Sequence, residues 1–317
     1  MGTRALITVD TELTWRHHWA GRGWADNYAR SVEPAAVGLS YQLKQLARHR
    51  LKGVFFVDPM PAVLFGLEPV KRMVDTVLMA GQEVQLHIHP MWDEASRHGV
   101  IGDDADFELT GFDREGQRRL IEQARTILVE AGAPEPIAFR SGSYAVNADT
   151  LHALADLGIR YDSSHNGCAA PWPSALGLDA EWVTPVKQHG VIEVPVSQMS
   201  QPGGALRHMQ ICAVTLGEMK AGLDFAVVND HPVFTIVSHS FELATRDGRR
   251  ANKIAKRRFD GLCAYLAERR DEAPTAHFAD LGDLCLKTEG EPASVSPVRV
   301  AHRMAEQLWS NMVEERG

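Results

Sequence analysis

The sequence predicts an α/β protein whose parallel strands curl toward a barrel. Three observations predict it. Short apolar runs alternate with helical patterns about seven times; Gly81, Gly132 and Gly158 fall where helix C-caps precede a following strand; and ionisable residues mark the C-terminal ends of the apolar runs. With 317 residues, 44% of them hydrophobic, the chain can bury a large core.

In order, the first strand is "RALITVD", followed by a helix over 33–49 and the strand "KGVFFVD". A helix over 68–80 leads to "EVQLHIH", and one over 113–131 leads to "PIAFR". A helix from Asn147 to Leu157 precedes "IRYDSS" and "GVIEVPVS"; helices over 215–228 and 249–270 flank "VFTIVSH". "TAHFADLGDL" is expected to supply the closing strand. The Pro-, Ser- and Glu-rich stretch "TEGEPASVSPV" then reads as a linker, dividing the chain into a barrel domain over 1–287 and a linker with a C-terminal helix over 288–317. In that helix Val300, Met304, Leu308 and Met312 recur every four residues, an apolar stripe expected to dock on the domain.

Composition narrows the function. The net charge of −8 is scattered, without a basic stripe for a phosphate backbone, so nucleic acid is not an expected partner. The basic run "RDGRRANKIAKRRF" is at helical spacing and is expected to be a solvated helix face. No window is apolar enough for a membrane span or signal peptide, which makes the cytoplasm the expected location. Cys168, Cys212, Cys263 and Cys285 form no CxxC pair, arguing against a cysteine metal cluster or a disulfide framework.

The chemistry gathers at strand ends. In "LITVDTEL" the two-residue period puts Asp10 and Glu12 on one side of the chain, and in "LHIHP" it does the same for His87 and His89. Arg140 ends "PIAFR" and His239 ends "VFTIVSH". In a parallel barrel those ends surround one mouth, where active sites sit. Burying so many ionisable groups together is costly unless they pair or hold a metal. Two imidazoles and a carboxylate suit a divalent first-row cation such as Zn²⁺ that keeps open positions. No GxSxG elbow frames "RSGSY", which argues against a serine hydrolase.

The ordered set "TVDTE", "LHIHP", "FRSGSYAVN", "YDSS" and "IVSHS" resembles the polysaccharide deacetylase family, the metal-dependent carbohydrate esterases of family 4. That resemblance implies a distorted (β/α)7 barrel and hydrolytic removal of an N-acetyl group from an amino sugar or glycan precursor. It implies Asp10 as base, His239 as acid, Arg140 and Asp162 as the groups that hold and orient, and Glu12, His87 and His89 as metal ligands. The metal would be Zn²⁺, with Co, Ni or Fe as substitutes. The histidines stand two apart where the family spaces them four apart, which leaves Asp10 or Asp93 as alternative third ligands. The backbone near Ser143 and Tyr144 would meet the oxyanion, and Trp92 and Trp15 would offer indole faces to a sugar. A small-molecule amide is the alternative substrate, and a catalytically silent sugar-binding barrel the alternative class. The irregular stretches "HNGCAAPWPSALGLDAEW" and "SQPGGALRHMQICAV" suit substrate loops or a homo-oligomer contact.

Overall fold

A computed structural model describes residues 2–98, 108–282, 284–286, 290–310 and 312. Its centre is an eight-stranded sheet built from β1 (Arg4–Thr11), β2 (Val54–Val57), β3 (Glu83–Ile88), β4 (Ala138–Ser141), β5 (Tyr161–Asp162), β6 (Val186–Gln188), β7 (Val191–Glu193) and β8 (Val233–His239). Across the sheet the order is β8-β1-β2-β3-β4-β5-β7-β6, every pair parallel except the edge pair β6 with β7. The result is the expected α/β class in the form of a curled parallel half-barrel.

Alternation along β1 sorts the core into two layers. Ala5, Ile7 and Val9 face outward into the large core beneath the helices, with Phe55, Val57, Leu86 and Ile88 from the next strands. Leu6 faces the inside of the curl and packs there with Val54, Phe56, Ala138 and Tyr161. The helices Leu39–His49, Glu68–Met79, Arg114–Glu130, Ala148–Asp156, Leu216–Val228 and Lys253–Glu268 fall where the sequence periodicity places them.

Three expectations are corrected. "TAHFADLGDL" is not a closing strand: Thr275 makes an isolated bridge to Ala5, and Phe278–Asp280 forms a short 3₁₀ turn. Phe278 and Leu281 plug the inner core, because the Glu83 carboxylate accepts the N–H groups of Phe278 and Ala279 and holds that turn in place. Secondly, the stretch between β1 and the helix expected over 33–49, to which the sequence order assigns no element, holds short helices at Trp15–Trp19 and Trp24–Ser31. Thirdly, the stripe on the C-terminal helix Pro297–Trp309 does not dock as a unit. Val300 packs against the core, whereas Met304, Leu308 and Met312 are exposed. The opposite face carries the attachment: Arg303 pairs with Glu218 at 2.6 Å, Glu306 with Arg258 at 2.7 Å, and Asn252 donates to Ser310 Oγ at 3.0 Å. The same contacts turn Arg258 inward from a basic run expected to be a solvated helix face. The domain boundary expected at 287/288 lies outside the described residues.

Candidate active site

Parallel register gathers the chemistry at the C-terminal ends of the strands. Asp10 on β1 stands beside His239 on β8, and His87 on β3 beside Arg140 on β4. Asp10 Oδ1 accepts a hydrogen bond from Arg140 Nη1 at 2.8 Å, while its Oδ2 lies 3.7 Å from His239 Nε2. Arg140 has no solvent exposure. It donates also to Thr8 Oγ1 (2.9 Å), Ser163 O (3.0 Å) and Ser163 Oγ (3.1 Å), and its guanidinium lies 4.4 Å from the centre of the Phe56 ring. Burial alone would raise the Asp10 carboxyl, but the Arg140 charge beside it holds it below the usual range, so it stays an anion at neutral pH.

Glu12, His87 and His89 offer ligand atoms all within 4.8 Å of one another, the one group of this kind among the described residues. Glu12 Oε2 lies 2.6 Å from His89 Nε2 and 3.7 Å from His87 Nε2. The His87 Nδ1 atom is 2.7 Å from the Arg140 carbonyl. A carbonyl only accepts, so Nδ1 carries the hydrogen and the lone pair of Nε2 points toward Glu12. Burial pushes the His87 imidazole down to about 4, keeping it neutral, the form a metal requires. His89 is opposed by burial but raised to about 9 by the Glu12 carboxylate, and Glu12 in turn falls to about 2 beside it. Cation binding therefore displaces a proton from His89. Two imidazole nitrogens and one carboxylate oxygen, buried except for the half-buried His89 and with one tautomer fixed, fit a divalent first-row cation.

His89 stands where it does because Gly142 lacks a side chain: a Cβ there would come within 2.4 Å of the His89 ring. Gly142→Ala is expected to displace His89 and weaken metal binding by about 10–100-fold, the usual penalty for disturbing a ligand's support. Competition with a chromophoric chelator measures it.

His239, the expected acid, has a partner that sequence reasoning missed. Glu242 Oε1 lies 3.3 Å from His239 Nδ1, and the Gln210 side-chain amide bonds both residues. Burial opposes the charged imidazole, but Glu242 raises it to about 9. Asp58 was missed as well. It follows β2, is fully buried, and burial, aided by the Glu12 charge and opposed by His89, pushes its carboxyl up to about 7. Its strand-end position was the available signal, since "KGVFFVD" ends in a carboxylate just as "RALITVD" does.

The remaining predicted residues divide. Ser143 and Tyr144 both adopt left-handed backbone (φ 54° and 59°) just after β4, and the hydroxyl of the half-buried Tyr144 is raised by desolvation and by the negative charge of Asp10. Trp15 is half-buried on the wall of a cavity of about 310 Å³ that also touches Glu12 and His89. Trp92 lines the same cavity; it is 1% exposed and packed among Trp15, His18 and Phe65. Asp162 makes no hydrogen bond to Arg140. It accepts from Ser164 Oγ at 2.5 Å and pairs with Glu193 on β7, and burial raises both carboxyls, so a proton is shared between them. Arg140 takes its support from Ser163 instead. Asp93, an alternative ligand, is tied to Arg97 at 2.9 Å and lies outside the Glu12 group.

No family model matches the chain. It is 25% identical over 215 residues to the peptidoglycan deacetylase-like protein FGM2 of Gibberella zeae, a match spanning 61% of this chain and 57% of that protein. A solved Mycobacterium smegmatis protein, provisionally described as a polysaccharide deacetylase, superposes with TM-score 0.57 at 18% identity, covering 92% of this chain and 96% of the other. The 4-alpha-glucanotransferase of Thermococcus litoralis superposes with TM-score 0.52 at 10% identity, covering 89% of this chain and 40% of its own, so the scaffold by itself does not specify a reaction. By sequence, then, the chain is similar to a peptidoglycan deacetylase-like protein, of which it spans little more than half, and it shares the fold of the Mycobacterium smegmatis protein.

Proposed function

We propose that the protein is a metal-dependent hydrolase that removes the N-acetyl group of an amino sugar. The observation that carries this reading is the adjacency of the Glu12–His87–His89 ligand set to an Arg140-held carboxylate and a carboxylate-paired imidazole. A divalent cation bound there supplies Lewis-acid polarisation of the amide carbonyl and acidifies water. Asp10, ionised and oriented by Arg140, takes the proton from the attacking water. The backbone N–H groups of the left-handed turn at Ser143 and Tyr144 are the donors this reading assigns to the developing oxyanion. His239, protonated through Glu242, delivers a proton to the departing amine. The products are acetate and a free amino sugar. Incubating the metal-loaded protein with N-acetylglucosamine oligomers and assaying acetate and ammonia tests this: acetate supports the reading, and ammonia without acetate assigns another amide.

The pH dependence follows from His239. Its acid form is present below about 9 and lost above, so kcat/KM is expected to fall as pH rises through about 9. Glu242→Gln removes the carboxylate that raises it, and the alkaline limb is expected to move down by at least about one unit. Acetate release measured across pH 6–10 reads the shift.

A further inference from the structure

The irregular stretch "SQPGGALRHMQICAV", which the sequence leaves as a substrate loop or a contact between copies, sets one side chain against the His239 imidazole. Its strand Leu206–His208 pairs antiparallel with Gln198–Ser200, and the chain then runs along β8. There Val237 N donates to Met209 O at 2.8 Å and Ile211 N donates to Val237 O at 3.1 Å, a parallel bridge centred on Gln210 and Val237. Backbone bonds on both sides thus fix Gln210 opposite Val237, just before His239 ends the strand.

The Gln210 side chain joins two groups. Its Nε2 donates to Glu242 Oε1 and lies 3.3 Å from His239 Nδ1, and its Oε1 stands 2.6 Å from His208 Nε2. Burial alone would raise the Glu242 carboxyl, but the bonds from His239 and Gln210 and the His239 charge hold it below the usual range, so it is an anion and only accepts. That settles the hydrogens along the row. The amide turns its nitrogen to Glu242 and its oxygen to His208, and burial keeps His208 neutral with its hydrogen on Nε2. His239 in turn donates from Nδ1 to Glu242 Oε1 at 3.3 Å. The second carboxylate oxygen, Oε2, is buried without a hydrogen-bond partner, and only the Cys212 thiol, a weak donor, stands near the carboxyl. Glu242 lies on a turn beyond β8 and has a long side chain with much rotamer freedom to lose. The Gln210 amide therefore decides which way its carboxylate faces.

We infer that Gln210 is a positioning residue of the acid: anchored by His208, it holds the Glu242 carboxylate on His239 Nδ1, which leaves Nε2, the nitrogen that faces Asp10, to carry the delivered proton. The inference rests on the proposed role of His239. Gln210→Met keeps the length of the side chain and removes both polar atoms. In the zinc-loaded full chain, with N-acetylglucosamine oligomers, it is expected to lower kcat about tenfold to a hundredfold, part of the about two to four decades that a positioned acid contributes. KM is expected to stay within about twofold, because Gln210 acts through Glu242 rather than on the sugar. In the Glu242→Gln background the same substitution is expected to cost no more than about twofold, since the group it acts through is already gone. His208→Phe removes only the anchor; a smaller loss with the same dependence on Glu242 is expected, and this variant serves if Gln210→Met does not fold. An undiminished kcat, equal losses in both backgrounds, or a change confined to KM overturns the inference. A second readout needs no turnover. With isotope-labelled histidine, the nuclear magnetic resonance signal of His239 Nδ1–H, assigned by its absence from His239→Ala, is expected in the wild type and expected to be lost to solvent exchange in Gln210→Met; its persistence in the variant overturns the inference as well. Loss of that signal in a protein that releases no acetate keeps Gln210 as the holder of His239 and removes the deacetylase reading.

Discussion

His87→Ala is expected to purify without a bound divalent cation and to release acetate at least about a thousandfold more slowly than the wild type. Such a loss corresponds to about 4 kcal/mol of transition-state stabilisation, within what a Lewis-acid cation supplies. His87 is the ligand whose geometry is most constrained: it is 2% exposed, its Nδ1–H is fixed on the Arg140 carbonyl, and burial holds it neutral. Removing it leaves a carboxylate and one imidazole, which close on each other at 2.6 Å. Asp10→Asn is the matched control. The amide keeps the size of the carboxylate and an acceptor for Arg140, so metal is expected to stay bound while turnover falls by about two to four decades, the usual contribution of a positioned base. Elemental analysis of the two variants, prepared without chelators, separates the roles. Metal retained in His87→Ala would remove the ligand set, and metal lost in Asp10→Asn would make Asp10 a ligand rather than the base.

The residues that end strands were legible because a strand's two-residue period and the cost of burying charge act locally. Asp10, Glu12, His87, His89, Arg140 and His239 each interrupt or end an apolar run, and parallel register pairs Asp10 with His239 and His87 with Arg140 at the C-terminal ends of the strands. Glu242 was not legible by that rule. It lies beyond β8 in a turn, and only the folded path of "SHSFEL" returns its carboxylate to His239. Asp58 precedes a proline, where an aspartate reads equally well as a turn residue. The docking of the C-terminal stripe was not legible either. Periodicity says which residues share a face but not what the face meets, and the ion pairs of Arg303 and Glu306 decide how that helix docks. The segment "TAHFADLGDL" has a strand's composition, and the Glu83 carboxylate overrides it by capping a turn.

Arg140→Met is expected to destabilise the protein by about 3–5 kcal/mol, the cost of removing one partner of a buried ion pair. That is a large part of the roughly 5–15 kcal/mol that holds a typical domain together. Methionine fills much of the volume over Phe56, so the loss arises mainly from Asp10, left 3% exposed without its countercharge, and from Ser163, which loses two donors. The pH dependence identifies the cause. In the wild type the Asp10 carboxyl is depressed, so its contribution is present above the unfolded value near 3.8 and is lost as pH falls through the lower native value. Without Arg140, burial dominates and the native carboxyl is raised. The sign then reverses: the variant is most stable below the unfolded value and loses stability as pH rises through the raised one. Urea unfolding of the chelator-treated proteins at pH 5 and pH 8 is therefore expected to show a larger deficit at pH 8. Adding Asp10→Asn to Arg140→Met should recover a good part of it, because the stranded charge is gone. A deficit independent of pH and not relieved by the second substitution would place the role of Arg140 in its contacts to Ser163 and Phe56, and would leave Asp10 without the electrostatic support that keeps a buried base ionised.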